Sequence, residues 1–135
     1  MPCQIDDIPI VDAVVISHNH YDHLDRASVA TLASQAGGVP LFLVPLGLKS
    51  WLEQLGITRA IELDWWEERD LTLKPEAGSE VTTKDETASK ADTIQARIGC
   101  LPCQHTSARS PLDKAHTLWS SWSVECGGQK VWFAG

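Results

Sequence analysis

The feature that most constrains this chain is a short apolar run that ends in a dense cluster of histidines. Residues Ile10 to Ile16 are apolar and β-branched, broken only by Asp12 and Ala13, and read as a buried strand. The run stops at Ser17, and residues 17–25 are SHNHYDHLD, which contains H-x-H-x-D-H. In extended backbone, side chains two apart share a face, so His18 and His20 can meet one metal ion. Asp22 and His23 follow as the chain turns into a helix and can point at a second ion nearby. Neutral imidazole and carboxylate suit zinc, with iron or manganese as alternatives. Three of the five histidines fall within six residues, which weighs against a chance surface cluster.

His105 lies in QHTSARSPLDK, residues 104–114, just beyond a predicted strand. A histidine at a strand end, far away in sequence, is what completes a three-histidine set with His18 and His20. His116 has no such setting and reads as a surface residue. Cys100-x-x-Cys103 invites a redox or zinc-ribbon reading. A ribbon needs a second pair, which Cys3 and Cys126 do not form, so structural cysteine is the expectation. Trp51, Trp65, Trp66, Trp119, Trp122 and Trp132 are read first as packing, and second as an apolar pocket or membrane-contacting surface. Trp119 and Trp122, three apart on one predicted strand, cannot both face the core.

Along the chain, strands and helices alternate. Asp25 is placed to cap a helix carrying Val29, Leu32, Ala33 and Ala36 at i, i+3, i+4 and i+7, stopped by Gly37-Gly38. Pro40 to Val44 reads as a second strand. Leu48, Trp51, Leu52 and Leu55 repeat the helical spacing up to Gly56, and Arg59 to Leu63 reads as a third strand. This pattern argues for an α/β layered fold. Glu76 to Thr93 has almost no large apolar residue and reads as a polar loop insertion. Ile94 to Leu101 and Leu118 to Val124 are then expected strands, with Gly127-Gly128 turning into Gln129 to Phe133.

Composition limits the partners. The net charge is −7, and Glu62 to Asp92 holds ten acidic and four basic residues. With no basic stripe, nucleic acid is not an expected partner. No apolar run reaches the roughly 18 residues of a bilayer span, and the first residues lack the pattern of a secretory signal. The chain is therefore expected to be intracellular, with its compartment and oligomeric state unspecified.

With these residues in hand, the chain resembles the metallo-β-lactamase fold superfamily, and within it the N-acylphosphatidylethanolamine-hydrolysing phospholipase D family. The resemblance rests on VDAVVISHNHYDHLD, VPLGLKSWL, LDWWEE, QHTSARSPLDK, TLWSSW and VWFAG, in that order. H-x-H-x-D-H identifies the superfamily, and the flanking segments point to the phospholipase D branch. The resemblance implies an αββα sandwich carrying two zinc ions, of which residues 1–135 are a single incomplete domain. It implies that His18, His20 and His105 hold one ion, while Asp22 and His23 hold the other and belong to the catalytic set. It also places the family's bridging aspartate directly after Gly135. This implies that the polypeptide alone binds at most one zinc tightly and has little activity. Thr106 stands where family members often have Trp, which bears on the pocket wall.

The function implied is a zinc-dependent phosphodiesterase that releases N-acylethanolamine and phosphatidic acid from a phospholipid substrate, with peripheral membrane contact. Arg109 is assigned to the phosphate and Tyr21 to the substrate amide. The alternatives are a non-catalytic zinc-binding fragment, or another hydrolase of this fold acting on a lactone or a soluble phosphodiester.

Overall fold

The apolar runs of the first half form one parallel sheet. The computed structural model of the chain describes residues 5–73, 82–83 and 93–135. After a single 3-10 turn at Ile5–Asp7, Ala13–Val15 (β1) leads to helix Arg26–Ala33 (α1) and then Leu41–Pro45 (β2). Helix Lys49–Glu53 (α2) and Ala60–Leu63 (β3) follow. The sheet order is β1-β2-β3, with Val14 opposite Phe42 and Leu43 opposite Ile61.

All five β2 residues are buried because the strand is covered on both faces. Phe42 and Val44 pack with Leu24, Val29, Leu48 and Leu52 on the helical side. Leu41 and Leu43 pack with Leu63, Leu71, Ile98, Cys100 and Trp122 on the other. Each such apolar side chain removed from water contributes roughly 1.5–3 kcal/mol. A strand with two dry faces has no polar alternation, which is why the sequence reads as an unbroken apolar run.

The second half forms an antiparallel sheet from Glu68–Leu73 (β4), Thr82–Thr83 (β5), Ile94–Leu101 (β6), Ser121–Cys126 (β7) and Gln129–Phe133 (β8). Its order is β5-β4-β6-β7-β8. Gly127 and Gly128 both have positive φ (57° and 76°), as a tight two-residue hairpin requires. The layers are thus helices, parallel sheet and antiparallel sheet. Among the described residues, no helix lies on the outer face of the second sheet.

Several expected boundaries move, each for a local reason. The Asp25 cap forms, with its carboxylate accepting from Ser28 N at 2.7 Å. Helix α1 nevertheless stops at Ala33, not Ala36. The Ser34 hydroxyl donates to Thr31 O, and Gln35 turns away to bond Val11 N and the carbonyls of Ile8 and Pro9. The strand expected at 118–124 begins only at Ser121. Leu118 and Ser120 instead donate their amides to Leu46 O and Ser17 O, both at 2.8 Å, so this segment crosses the ends of the parallel sheet. Strand β4 has no counterpart among the expected elements. Only Leu71 and Leu73 mark its inward face, and it is held by pairing with β6 and by Arg97 reaching Asp70 at 2.8 Å. Most of the expected loop 76–93 lies outside the described residues, but Thr82–Thr83 within it pairs with β4.

Trp122 is fully buried and Trp119 half-buried, in line with only one of them facing the core. The Trp122 indole N–H donates to Ile16 O at 3.0 Å, linking the antiparallel sheet to the end of the first strand. Cys100 is also fully buried, and burial pushes its thiol up to about 11. It is a packing residue rather than a reactive one. Trp122→Phe removes the indole N–H and leaves Ile16 O and a void behind. The variant should lose about 2–4 kcal/mol of stability in urea unfolding; an unchanged midpoint would contradict this bracing role.

Candidate metal centre

The end of β1 is fixed before the histidines begin. Ile16 N continues the sheet by donating to Leu43 O at 3.1 Å, while its carbonyl accepts from Trp122. Ser17 O accepts from Ser120 N. His18 is therefore fully buried, with Ser17 and Asn19 on either side of it also buried. The chain then makes one turn, with Leu24 N donating to His20 O at 2.8 Å and His23 N to the same oxygen at 3.1 Å. Buried Leu24 anchors the turn in the core, and α1 starts directly after it.

His105 comes from the other sheet, four residues beyond the end of β6. Its N–H donates to Cys103 O at 3.1 Å. The same carbonyl accepts the Trp119 indole N–H, and the Trp65 indole N–H donates to Trp119 O. The Trp65 and Trp119 rings meet edge to face, 5.8 Å between centroids. Two of the tryptophans noted in the sequence thus brace the loop that presents His105.

Three ring nitrogens converge. His18 Nε2 lies 2.9 Å from His20 Nδ1 and 2.9 Å from His105 Nε2, and the latter lies 3.3 Å from His20 Nδ1. A tetrahedral zinc with bonds of about 2.0–2.1 Å separates its ligand nitrogens by roughly 3.4 Å, close to this triangle. Neutral imidazoles cannot place a proton along every edge of such a triangle, whereas three lone pairs aimed at one cation satisfy it. His18 Nδ1 is 2.9 Å from Ser17 Oγ. Donation from Nδ1 to that hydroxyl leaves the Nε2 lone pair free for a metal. Burial, then the facing imidazoles of His105, His23 and His20, lower the His18 pKa to about 4. The ring is therefore neutral at neutral pH, the form a metal ligand needs. The donor set fits a metal ion.

Of the expected residues, His18, His20 and His105 form the three-donor cluster. His23 stacks beside it, its ring 4.3 Å from that of His18, and its Nε2 is 3.5 Å from the carboxylate of exposed Asp22. Tyr21 is exposed. Arg109 was expected at the phosphate, yet its guanidinium is turned onto backbone, with Nε donating to Asn19 O at 2.7 Å and Nη2 to Leu24 O. His116 is exposed, as expected of a surface residue. Sequence reasoning missed Ser17, whose signal was its place between strand and histidine, and Asn19. The Asn19 Oδ1 is buried with no hydrogen-bond partner among the described residues.

Replacing His18 or His105 by Ala should weaken metal binding by more than about 100-fold, beyond the 10–100-fold typical of losing a group behind a ligand. His116→Ala should bind like the parent. Competition against a chelator measures this, and equal affinities for the three variants would place the metal elsewhere.

Comparison with known proteins agrees with this geometry. A family model described as a beta-lactamase superfamily domain matches residues 1–135. An N-acyl-phosphatidylethanolamine-hydrolyzing phospholipase D 1 of Caenorhabditis elegans is 33% identical over 139 residues, covering 99% of this chain and 34% of the relative. A mitochondrial N-acyl-phosphatidylethanolamine-hydrolyzing phospholipase D of Saccharomyces cerevisiae is 33% identical over 133 residues, covering 98% of this chain and 24% of the relative. An uncharacterized protein of Mycobacterium tuberculosis is 34% identical over 136 residues, covering 99% of this chain and 30% of that protein. The chain spans about a quarter to a third of the length of these relatives. Three histidines converging where two sheets meet, on a chain matched by that family model along its length, make it a member of the metallo-β-lactamase fold superfamily of hydrolases, close to the N-acylphosphatidylethanolamine-hydrolysing phospholipases D.

Proposed function

We propose that this chain forms the metal-binding part of a zinc-dependent phosphodiesterase, of the phospholipase D type, whose substrate is an N-acylated phosphatidylethanolamine. The convergence of His18 Nε2, His20 Nδ1 and His105 Nε2 carries the reading. The two relatives whose names state that activity supply the substrate class.

When bound, zinc supplies Lewis-acid polarisation and a water acidic enough to act as a nucleophile near neutral pH. In this reading His18, His20 and His105 hold one ion, and Asp22 and His23 serve a second. His18, neutral and backed by Ser17, keeps a fixed donor in the buried floor of the site. His105 is exposed, so the site opens to solvent on its side and leaves room for a bulky substrate. Exposed Tyr21 is placed in the histidine turn, where its phenol can hydrogen-bond a substrate amide. Leu112, 87% exposed in the loop that follows His105, is a side chain suited to touching the surface of a bilayer that holds the lipid.

The test uses zinc-loaded protein in excess over substrate, so that slow turnover registers. Vesicles containing N-acylphosphatidylethanolamine, a soluble bis-aryl phosphodiester and a lactone are compared, with products identified by mass spectrometry. Phosphatidic acid and N-acylethanolamine are the expected products. Cleavage of the lactone or the soluble diester alone would assign a different hydrolase. No turnover by protein that holds its metal would assign a non-catalytic metal-binding role.

A further inference from the structure

Among the described residues, Arg109 is a cationic side chain that joins the two ligand-bearing segments. It lies four residues past His105, and its guanidinium reaches across to the turn that carries His20, Tyr21, Asp22 and His23. Nε donates to Asn19 O at 2.7 Å and Nη2 donates to Leu24 O. These two carbonyls bracket the turn, one on each side. Both belong to buried residues, Asn19 at 4% and Leu24 at 1% exposure, where a carbonyl left without a donor is costly. The guanidinium carbon also lies 4.5 Å from the centre of the Tyr21 ring and 4.9 Å from that of Trp51. The cation is thus held against two aromatic faces as well as two carbonyls.

The base of the side chain is fixed too. Arg109 N donates to both carboxylate oxygens of Asp113, at 3.0 and 3.1 Å, and Ser110 N and Oγ donate to Asp113 Oδ1 at 2.6 and 3.0 Å. Asp113 is held below the usual carboxylate range, first by the Ser110 amide. The loop after His105 is therefore a closed turn that points Arg109 at the histidine turn.

We propose that Arg109 is a positioning residue of the metal centre. By gripping both ends of the His20–His23 turn from the His105 loop, it sets the separation between ligands that are 85 residues apart in sequence. The proposal rests on the metal-centre reading and adds to it a role different from phosphate binding. The Nε–Nη2 edge of a guanidinium is an edge that grips an oxyanion in bidentate fashion, and here that edge is occupied by backbone. Holding the ligands in place before the metal arrives removes an ordering cost from binding, so loss of the latch should appear in metal affinity before it appears in substrate binding.

The experiment compares the parent chain with Arg109→Ala, Arg109→Lys and Arg97→Ala, the last an arginine of β6 paired with Asp70 away from the site. Zinc affinity is measured by chelator competition. The cobalt(II)-loaded proteins are compared by their visible ligand-field spectra, and the metal-free proteins by circular dichroism. Arg109→Ala should lose about 10–100-fold in affinity and show altered cobalt bands, while Arg97→Ala matches the parent. Arg109→Lys should recover only part of the affinity, because one ammonium cannot reproduce a two-point grip. Should Arg109→Ala not fold, the lysine variant decides, and full parental affinity in it overturns the proposal. Parental affinity and spectrum in Arg109→Ala also overturn it, and a raised KM for phosphodiester with that affinity intact would return Arg109 to the phosphate. A parent chain that takes up no metal would overturn the metal-centre reading and this proposal together.

Discussion

Two hydrogen bonds at the end of β1 fasten the parallel sheet to the antiparallel one. Trp122 donates to Ile16 O and Ser120 donates to Ser17 O, and the histidines begin at the next residue. The sheets meet through side chains from both of their facing surfaces, among them Leu41, Leu43, Ile98 and Trp122. A side chain that starts from such a junction inherits its rigidity, since packed interiors transmit small displacements instead of absorbing them. His18 is consequently buried and fixed, while His105 reaches the same point from the opposite sheet on a loop braced by tryptophans.

The arrangement explains why polar residues crowd a dry region. Ser17, His18, Asn19, Ser107, Ser120 and Ser121 are all buried, and buried polar groups are tolerated where they find partners; the exception is Asn19 Oδ1, which has none among the described residues. Ser120 reaches Ser17 O, Ser107 Oγ donates to Thr117 O, and Ser17 Oγ meets His18. Backbone and hydroxyl groups thus hold the loops in place around a cluster of imidazoles that repel one another once protonated. Three imidazoles held together in this way fit a preorganised cation site.

Much of this was legible in the sequence. H-x-H-x-D-H after a β-branched run is visible because the spacing of two and the strand that precedes it are both local. Strand β2 was legible because it is dry on both sides and leaves a continuous apolar signature, whereas β1 is shorter and less buried than the run Ile10 to Ile16 suggested, covering only Ala13–Val15 with Ile10 exposed. His105 could be picked out as a strand-end residue, but its meeting with His18 depends on how two sheets stack, which no local pattern encodes. Strand β4 was invisible because its residues Glu68, Arg69 and Asp70 are charged, and pairing with β6 rather than propensity makes it a strand. The start of β7 was misplaced because Leu118 and Trp119 look like strand residues while their bonds serve the crossing between the sheets. Arg109 was noticed for its charge, yet the use of that charge depends on the carbonyls of Asn19 and Leu24, which are set by the turn geometry alone.

The proposed function depends on three histidines from two sheets binding one ion. Crystals of the protein grown with zinc, with anomalous scattering recorded on both sides of the zinc absorption edge, address it directly. A strong peak is expected within about 2.0–2.1 Å of His18 Nε2, His20 Nδ1 and His105 Nε2 together. A peak bound by His18 and His20 with His105 turned away, or one lying at another group of residues, would contradict it.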